Sequence, residues 1–246
     1  MASAITKVYL DSRYSIDGKS FDLQNVGILL HPKSRCWLSE FTCVASWDTL
    51  DATNNKFVVT EGVVNRTITL PTGPHDIDSL STAMQSALNT GKPATMGTYS
   101  VAKVGAASGT TFRSLQISVT GAVGFAVPSS QNTLSNIVNF PSSALATQHT
   151  SYFVDVRRVH SIYLHAPGLG SYGSVGPRGS RNILAKIPVL SGYGSLVHHQ
   201  GSGSEHDFFE VGVSCLTTLT IELKDVLGNE LNLNGTAWSC TLIFER

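Results

Sequence analysis

The chain has 246 residues, of which 41% are hydrophobic and 14% are charged, and its 17 basic and 17 acidic side chains give a formal net charge of zero. This composition excludes extensive disorder, and it provides no global positive field to attract nucleic acid or anionic lipid. A charged fraction well below the usual quarter favours a surface covered by neutral polar groups or by neighbouring subunits, as in an assembly component.

Short apolar runs and period-two alternations, separated by clusters of Gly, Pro, Ser and Asn, predict strands along most of the chain. Before residue 213 these strands lie at 7–10, 27–30, 36–46, 56–70, 98–105, 112–120, 153–165, 182–189, 196–199 and 207–212. The regular strand and helix alternation of a parallel α/β sheet is missing, so the fold class is mainly β, a sandwich or a barrel.

One helix interrupts the strands. Residues 77–88 carry apolar side chains at helical spacing, Asp76 or Asp78 is placed to cap the start, and Gly91 followed by Pro93 ends the helix. A shorter helical turn is predicted at 133–140, before Pro141.

The C-terminal residues alternate most regularly. Every second position is apolar in two segments, and these positions are Leu219, Ile221 and Leu223, then Trp238, Cys240, Leu242 and Phe244. Both segments therefore predict half-buried strands with these side chains in the core.

The cysteines, the N-terminus and the apolar stretches give no sign of the secretory pathway. Cys36, Cys43, Cys215 and Cys240 form no C-x-x-C pair, and we expect reduced thiols in the core. The first residues lack a basic region followed by an apolar run, and no stretch approaches ~18 uninterrupted apolar residues. We expect neither a signal peptide nor a membrane span.

Three groups of residues are candidates for a functional site. Gly168, Gly170 and Gly173 match G-x-G-x-x-G, but no helix is predicted after them to hold a pyrophosphate. Four arginines at 157, 158, 178 and 181 make a basic patch that we expect to pair with carboxylates rather than with nucleic acid.

The densest group of metal-capable side chains is His198, His199, Glu205, His206 and Asp207. Adjacent residues of a strand point to opposite faces, so His198 and His199 do not ligate one ion without a bulge. We also find no G-x-S-x-G motif and no cysteine near a helix start. The prediction is a protein that is not an enzyme and has no metal or cofactor.

Several segments together resemble the single-jelly-roll penton proteins, the vertex or minor capsid proteins, of double-jelly-roll DNA viruses and of Polinton or Maverick virus-like transposons. The segments in the first half are 8–12 (VYLDS), 38–42 (LSEFT), 46–50 (SWDTL), 54–57 (NNKF), 67–73 (TITLPTG) and 76–80 (DIDSL). Those in the second half are 161–165 (SIYLH), 176–179 (GPRG), 183–188 (ILAKIP), 203–208 (GSEHDF) and 231–238 (LNLNGTAW).

The resemblance implies a single jelly roll spanning 1–246, with an inserted small α+β unit at about 57–146. It also implies a structural virion protein that forms the fivefold vertex of an icosahedral capsid as a homopentamer and contacts the major capsid protein. Such a protein is assembled inside the host cell and located in the virion. Our candidate interface residues are Tyr172, Gly176, Arg178 and Gly179, because glycine-rich loops are free to meet partners and a guanidinium bridges carboxylates.

Two alternatives from other functional classes stay open, because jelly rolls host many roles. The first is a receptor- or carbohydrate-binding component of a spike or fibre, with a shallow cleft lined by Trp37 or Trp47. The second is a metal-dependent enzyme, which requires His198, His199 and His206 to converge inside a barrel.

Overall fold

The structure is a computed structural model that describes residues 5–24, 27–30, 34–105, 114–122, 124–128, 132–141, 145–169, 174–202 and 208–245. The chain folds into two compact units. Unit 1 combines Met1–Trp47 with Val159–Arg246, and unit 2 is the intervening Asp48–Arg158. Unit 2 therefore interrupts the sequence of unit 1, and it begins earlier and ends later than the inserted range about 57–146.

The first sheet of unit 1 is antiparallel. Its strands are β1 (Ile5–Asp11), β4 (Arg35–Val44), β14 (Leu196–Gln200) and β19 (Trp238–Glu245), and β15 (Phe209–Glu210) adds a short pairing to β4. The strand order is β1-β19-β4-β14, so β1 and β14 are the two edges.

The second layer of unit 1 is built from shorter strands. They are β2 (Ser20–Asp22), β3 (Ile28–Leu29), β12 (Ser161–His165), β13 (Ile183–Pro188), β16 (Cys215–Leu216), β17 (Thr218–Thr220) and β18 (Glu222–Lys224). Strand β12 lies between β13 and β18, while β16 pairs with β3 and β17 pairs with β2. The chain thus passes repeatedly from one sheet to the other, which is the jelly-roll pattern.

A single hydrophobic core joins the two layers of unit 1. The alternation predicted for β19 is confirmed, since its first, third, fifth and seventh side chains are buried. The Trp238 ring contacts Phe21 of β2 edge-on at 5.7 Å between centroids, and it stacks on Phe41 of β4 at 6.2 Å. Trp238 therefore packs against aromatic residues of both layers of unit 1.

Three of the four cysteines are buried free thiols, as predicted: Cys36, Cys43 and Cys240. Burial raises the pKa of all three, to about 12 for Cys43 and Cys240, so they stay protonated and unreactive. The prediction is wrong for Cys215, which is exposed. Strand β16 points Leu216 inward, and its neighbour Cys215 consequently points out.

Unit 2 mixes strands with the single α-helix of the described chain. Its elements are β5 (Lys56–Glu61), β6 (Val64–Thr69), α1 (Ile77–Asn89), β7 (Thr98–Val104), β8 (Ser114–Thr120), β9 (Val138–Asn139), β10 (Gln148–Thr150) and β11 (Phe153–Val154). Strands β10, β8 and β7 form one sheet, β5 and β6 a hairpin, and β11 pairs with β9. These elements enclose a core of their own.

Helix α1 is confirmed, and Asp76 is its N-cap. The Asp76 carboxylate accepts from the Ser79 amide at 2.7 Å, which completes a capping box. At the other end Arg66 of β6 donates to the Leu88 carbonyl oxygen at 2.7 Å, where the helix dipole favours a cation. The side chain of Asn89 bonds to both backbone polar groups of Tyr99, which fixes the helix against β7.

Four predicted elements differ in the structure. The predicted strand at 219–223 is divided into β17, which pairs with β2, and β18, which pairs with β12. The predicted strand at 56–70 is a hairpin, turned at Gly62 with a φ of 61°. The predicted helical turn at 133–140 is a 3-10 turn at Thr133–Asn136 followed by strand β9. The predicted strand at 153–165 is divided into β11 and β12, which belong to different units.

Candidate assembly surface

The two lateral edges of unit 1 differ in character. Strand β1 is the edge of the first sheet on one side, and β14 is its edge on the other. Along β1 the apolar side chains alternate, so that Val8 and Leu10 are buried while Ile5 and Tyr9 are 57% and 74% exposed. The side of β1 thus presents large apolar groups to solvent.

A groove of about 530 Å³ lies beside β1, and we call it the tyrosine groove. Core residues form its floor: Leu10, Phe21 and Cys240, each at most 5% exposed. Tyr9 and Tyr14 stand at its side and are 74% and 84% exposed. A groove with an apolar floor and exposed aromatic walls is typical of a contact surface between proteins.

Carboxylates also line the tyrosine groove. Asp11 is neutralised by Arg13, whose side chain hydrogen-bonds to it and lowers the pKa of the carboxyl. Asp22 accepts from the Gln24 amide at 2.8 Å, and Glu40 lies 3.7 Å from His198. No Lys or Arg of the described residues forms an ion pair with Asp22 or Glu40. The groove therefore has a negative rim.

The opposite side of unit 1 carries the β13–β14 loop, residues 189–195. Its base is fixed to the end of β4, because the Gly194 amide donates to the Ala45 carbonyl oxygen at 2.8 Å. Its outer part is apolar and exposed: Leu190 by 85%, Tyr193 by 54%, and Leu196 at the start of β14 by 62%. Leu190 and Tyr193 of this glycine-rich loop are therefore large apolar side chains that do not contribute to the core of unit 1.

A second cavity of about 430 Å³ lies at the loops that precede β2 and β19. Its charged groups already have partners, since Lys19 pairs with Glu230 at 2.6 Å and Asp17 accepts from the Ser20 amide at 2.6 Å. Trp238 lines this cleft, but Phe21 and Phe41 already contact its ring. The charged groups named here are therefore already paired, and the Trp238 ring is already in contact with two other rings.

The predicted interface loop is described in part. Gly176 precedes a 3-10 turn, Pro177–Gly179, and Gly179 ends this turn with a φ of 78°. A Cβ on Gly176 would lie 2.2 Å from the Ile183 Cδ1, so a larger residue here requires the Ile183 side chain to move. Tyr172 and the Arg178 side chain lie outside the described residues. Their role as interface residues stays a prediction.

The histidine group is described only through His198 and His199. His198 is exposed and faces Glu40, while Glu205, His206 and Asp207 lie outside the described residues. Over the described ranges no three His, Cys, Asp or Glu side chains are grouped for a metal ion. Likewise, no helix in the described part has the length and apolarity to cross a bilayer.

Two of the four arginines of the predicted basic patch are paired with carboxylates. Arg157 hydrogen-bonds to Asp155 at 3.2 Å, and Arg158 forms an ion pair with Asp51 at 2.5 Å, both within unit 2. The Gly168 motif is described only up to a 3-10 turn at Pro167–Leu169, because 170–173 lie outside the described residues.

Trp37 and Trp47, the tryptophans of the binding-module alternative, lie away from the two cavities described above. Trp47 is 9% exposed and belongs to the core of unit 1. Trp37 is half-buried on the outer face of β4, opposite Ile243. Neither lines the tyrosine groove or the second cavity.

His165 is a buried titratable group next to β13. It is 5% exposed, and its Nδ1 donates to the Arg181 carbonyl oxygen at 3.0 Å. Burial lowers the pKa of His165 below 6.5, and the charge of Lys224 lowers it further. The neutral imidazole is therefore the form that fits this site.

Tyr9, Tyr14, Leu190 and Tyr193 are not among the functional residues predicted from the sequence. Tyr14 ends the 3-10 turn Ser12–Tyr14 that follows β1, and Leu190 and Tyr193 lie in the segment LSGYGSL between two strands. The available signal was the presence of large apolar residues in a glycine-rich turn, because such a turn does not bury side chains of this kind.

Comparison with solved structures finds a fold like that of a mavirus penton protein, determined as a selenomethionine-labelled crystal structure. The similarity covers 98% of the present chain and 99% of that chain, with a TM-score of 0.56 and 10% sequence identity. No protein-family model matches the sequence, and none of the curated proteins does. The likeness confirms the predicted jelly-roll class and the resemblance to penton proteins at the level of the fold.

Proposed function

We propose that this chain is a penton-type minor capsid protein that forms the fivefold vertex of an icosahedral capsid. The observation that carries the proposal is the likeness to the mavirus penton protein over nearly the full length of both chains. A match of this extent includes the inserted segment as well as the jelly roll, and the bare jelly roll is shared by proteins of many functions.

The partners follow from this role. The chain forms a homopentamer, and the ring contacts the major capsid protein around it. A closed ring needs two different contact surfaces on each subunit. Unit 1 offers exposed apolar groups on both of its lateral sides, which supports this arrangement. The protein is then located in the virion of a double-jelly-roll DNA virus or of a Polinton-like element, after assembly inside the host cell.

The glycine-rich loop remains a candidate for one of these contacts. Arg178 is its test residue, because a guanidinium bridges a carboxylate or two carbonyl groups on a neighbour. Arg178→Ala is expected to weaken incorporation into shells without lowering the melting temperature of the free chain.

Co-expression with a double-jelly-roll major capsid protein tests the function. We expect closed shells with this chain at the fivefold positions in averaged particle images, and a mass of five chains for the isolated oligomer by light scattering. A trimer would favour the spike or fibre alternative instead. A chain that never joins shells would contradict the capsid function.

A further inference from the structure

We infer that the tyrosine groove of one subunit binds the β13–β14 loop of a second copy of this chain, in a head-to-tail contact. The inference rests on the proposed function, because it names the surface through which the ring closes. It assigns both partners of the contact to described residues of unit 1.

Position is the first argument. One row of the first sheet runs Asp11, Ser239, Thr42 and His198 across all four strands. Tyr14 lies just beyond this row at the β1 edge, and the β13–β14 loop lies just beyond it at the β14 edge. The groove and the loop are thus at the same end of the sheet and on opposite sides. A rotation about one axis brings the loop of each subunit to the groove of the next.

Exposed apolar surface is the second argument. Tyr14 is 84% and Leu190 is 85% exposed, although both are large and apolar. The groove floor consists of core residues from both layers of unit 1. The loop connects β13 of the second layer to β14 of the first sheet, on the opposite side of unit 1. Burying Leu190 and Tyr193 in the groove removes both sets of apolar atoms from water.

Charge is the third argument. Asp22 and Glu40 give the groove a negative rim without an Arg or Lys partner among the described residues. Lys186 of β13 is exposed, and so is Arg181 just before this strand. Neither forms an ion pair with a described carboxylate. A negative rim on the groove and unpaired cations at and before β13 favour contact between groove and loop, and they oppose the contact of one groove with another.

Two single substitutions test the contact in the full chain. Tyr14→Asp damages the groove, and Leu190→Asp damages the loop. Both side chains are exposed by more than four fifths in the single chain, so each variant is expected to keep the far-UV circular dichroism spectrum of the wild type, and a lower melting temperature then reports the loss of neighbouring subunits. Light scattering is expected to show a fall from five chains to one in each variant. Val63→Asp, at a residue 99% exposed in unit 2, is the matched control and keeps the ring.

Mixing the two variants decides between head-to-tail and like-to-like contact. Tyr14→Asp keeps an intact loop, and Leu190→Asp keeps an intact groove, so an equimolar mixture is expected to form one good contact and stop at two chains. If groove met groove, Leu190→Asp would keep its oligomer, alone and in the mixture, and no dimer containing both variants would form. That result would overturn the inference.

Charge reversal is a second test that leaves the aromatic residues in place. Lys186→Glu is expected to weaken the association about tenfold, and adding Glu40→Lys in the same chain is expected to restore it. If the double variant stays weak, Lys186 does not face this groove and the charge argument is refuted.

The outcomes separate this inference from the proposed function. If the wild type and both aspartate variants are pentamers, the inferred contact is wrong and the vertex function stands. A wild type that is monomeric at every concentration also overturns the contact, and incorporation into shells would still support the function. A trimer whose mixed variants stop at two chains keeps the contact and contradicts the vertex function.

Discussion

Replacement of Trp238 by Ala is the sharpest test of how unit 1 is held together. Trp238 is 5% exposed and contacts an aromatic ring in each sheet, Phe21 in one and Phe41 in the other. Truncation of a buried Trp or Phe to Ala costs about 3–5 kcal/mol. Because Trp238 also lines an open cleft of about 430 Å³, water can fill part of the vacated space. We therefore expect a loss near the lower limit, about 3 kcal/mol.

Trp37→Ala is the matched control, since Trp37 lies on β4 of the same sheet but on its outer, half-buried face. We expect it to cost about 1 kcal/mol. All three tryptophans of the chain, at 37, 47 and 238, belong to unit 1, so the two that remain in each variant report its unfolding by fluorescence.

Urea denaturation measures the difference. A loss of about 3 kcal/mol lowers the midpoint by roughly 1–3 M, for slopes of about 1–3 kcal/mol per molar urea. Against a total stability of roughly 5–15 kcal/mol this is a large effect. If Trp238→Ala shifts the midpoint no further than Trp37→Ala, Trp238 does not join the two sheets and the core described above is wrong.

Three further predictions concern separate features. Asp76→Ala is expected to destabilise helix α1 by about 1 kcal/mol, which is measured as faster hydrogen exchange of the helix amides. Asp76→Asn is expected to retain the cap and most of the protection, and equal exchange in the two variants would contradict the cap. His165 has a lowered pKa in the folded state, so the unfolded state binds more protons below pH 6.5 and stability falls with pH there, by up to ~1.4 kcal/mol per pH unit. Urea midpoints measured between pH 7.5 and 5 should fall less steeply in His165→Gln, and parallel curves would refute the assignment. The triple substitution of His198, His199 and His206 by Gln is expected to leave the oligomeric mass unchanged, and elemental analysis of the wild type to find no stoichiometric metal; a one-to-one metal that disappears in the variant would favour the enzyme alternative.

Much of the fold was predictable wherever one face of an element is buried. Strand β19 has one buried and one half-buried face, so the period of two from Trp238 to Phe244 predicted it from the sequence. Helix α1 was predictable for the same reason, and Asp76 was predictable as a candidate for its cap. Burial on one side is the physical origin of both periodicities.

The differences arose where burial is not one-sided. Strand β5 buries Phe57, Val58 and Val59 in succession, so it shows no alternation that would mark its end. The turn is marked in the sequence only by Glu61 and Gly62 between two apolar segments, and Val63 at the turn is 99% exposed. Periodicity alone does not resolve a run of this kind.

The candidate contact surface was less predictable than the fold. The tyrosine groove combines residues of β1, β2, β4 and β19, which come together only through the sheet order. The exposure of Tyr14 and Leu190 is also a property of the folded chain, since the same residue types occur in the core. Only the glycine-rich setting of Leu190 and Tyr193 was visible in the sequence.

The pairing of β1 with β19 sets an order of events during synthesis. Ile5 lies opposite Glu245, so β1 has no sheet partner until nearly all of the described chain has left the ribosome. At about 5–20 residues per second the intervening stretch takes roughly 10–50 s to translate. Unit 2 is continuous in sequence, so it is free to fold in that interval. The first 47 residues still lack the C-terminal part of unit 1 with which they pack. An apolar strand left unpaired for so long is open to association with other nascent chains, and the yield of folded protein should therefore depend on chaperones that shield β1.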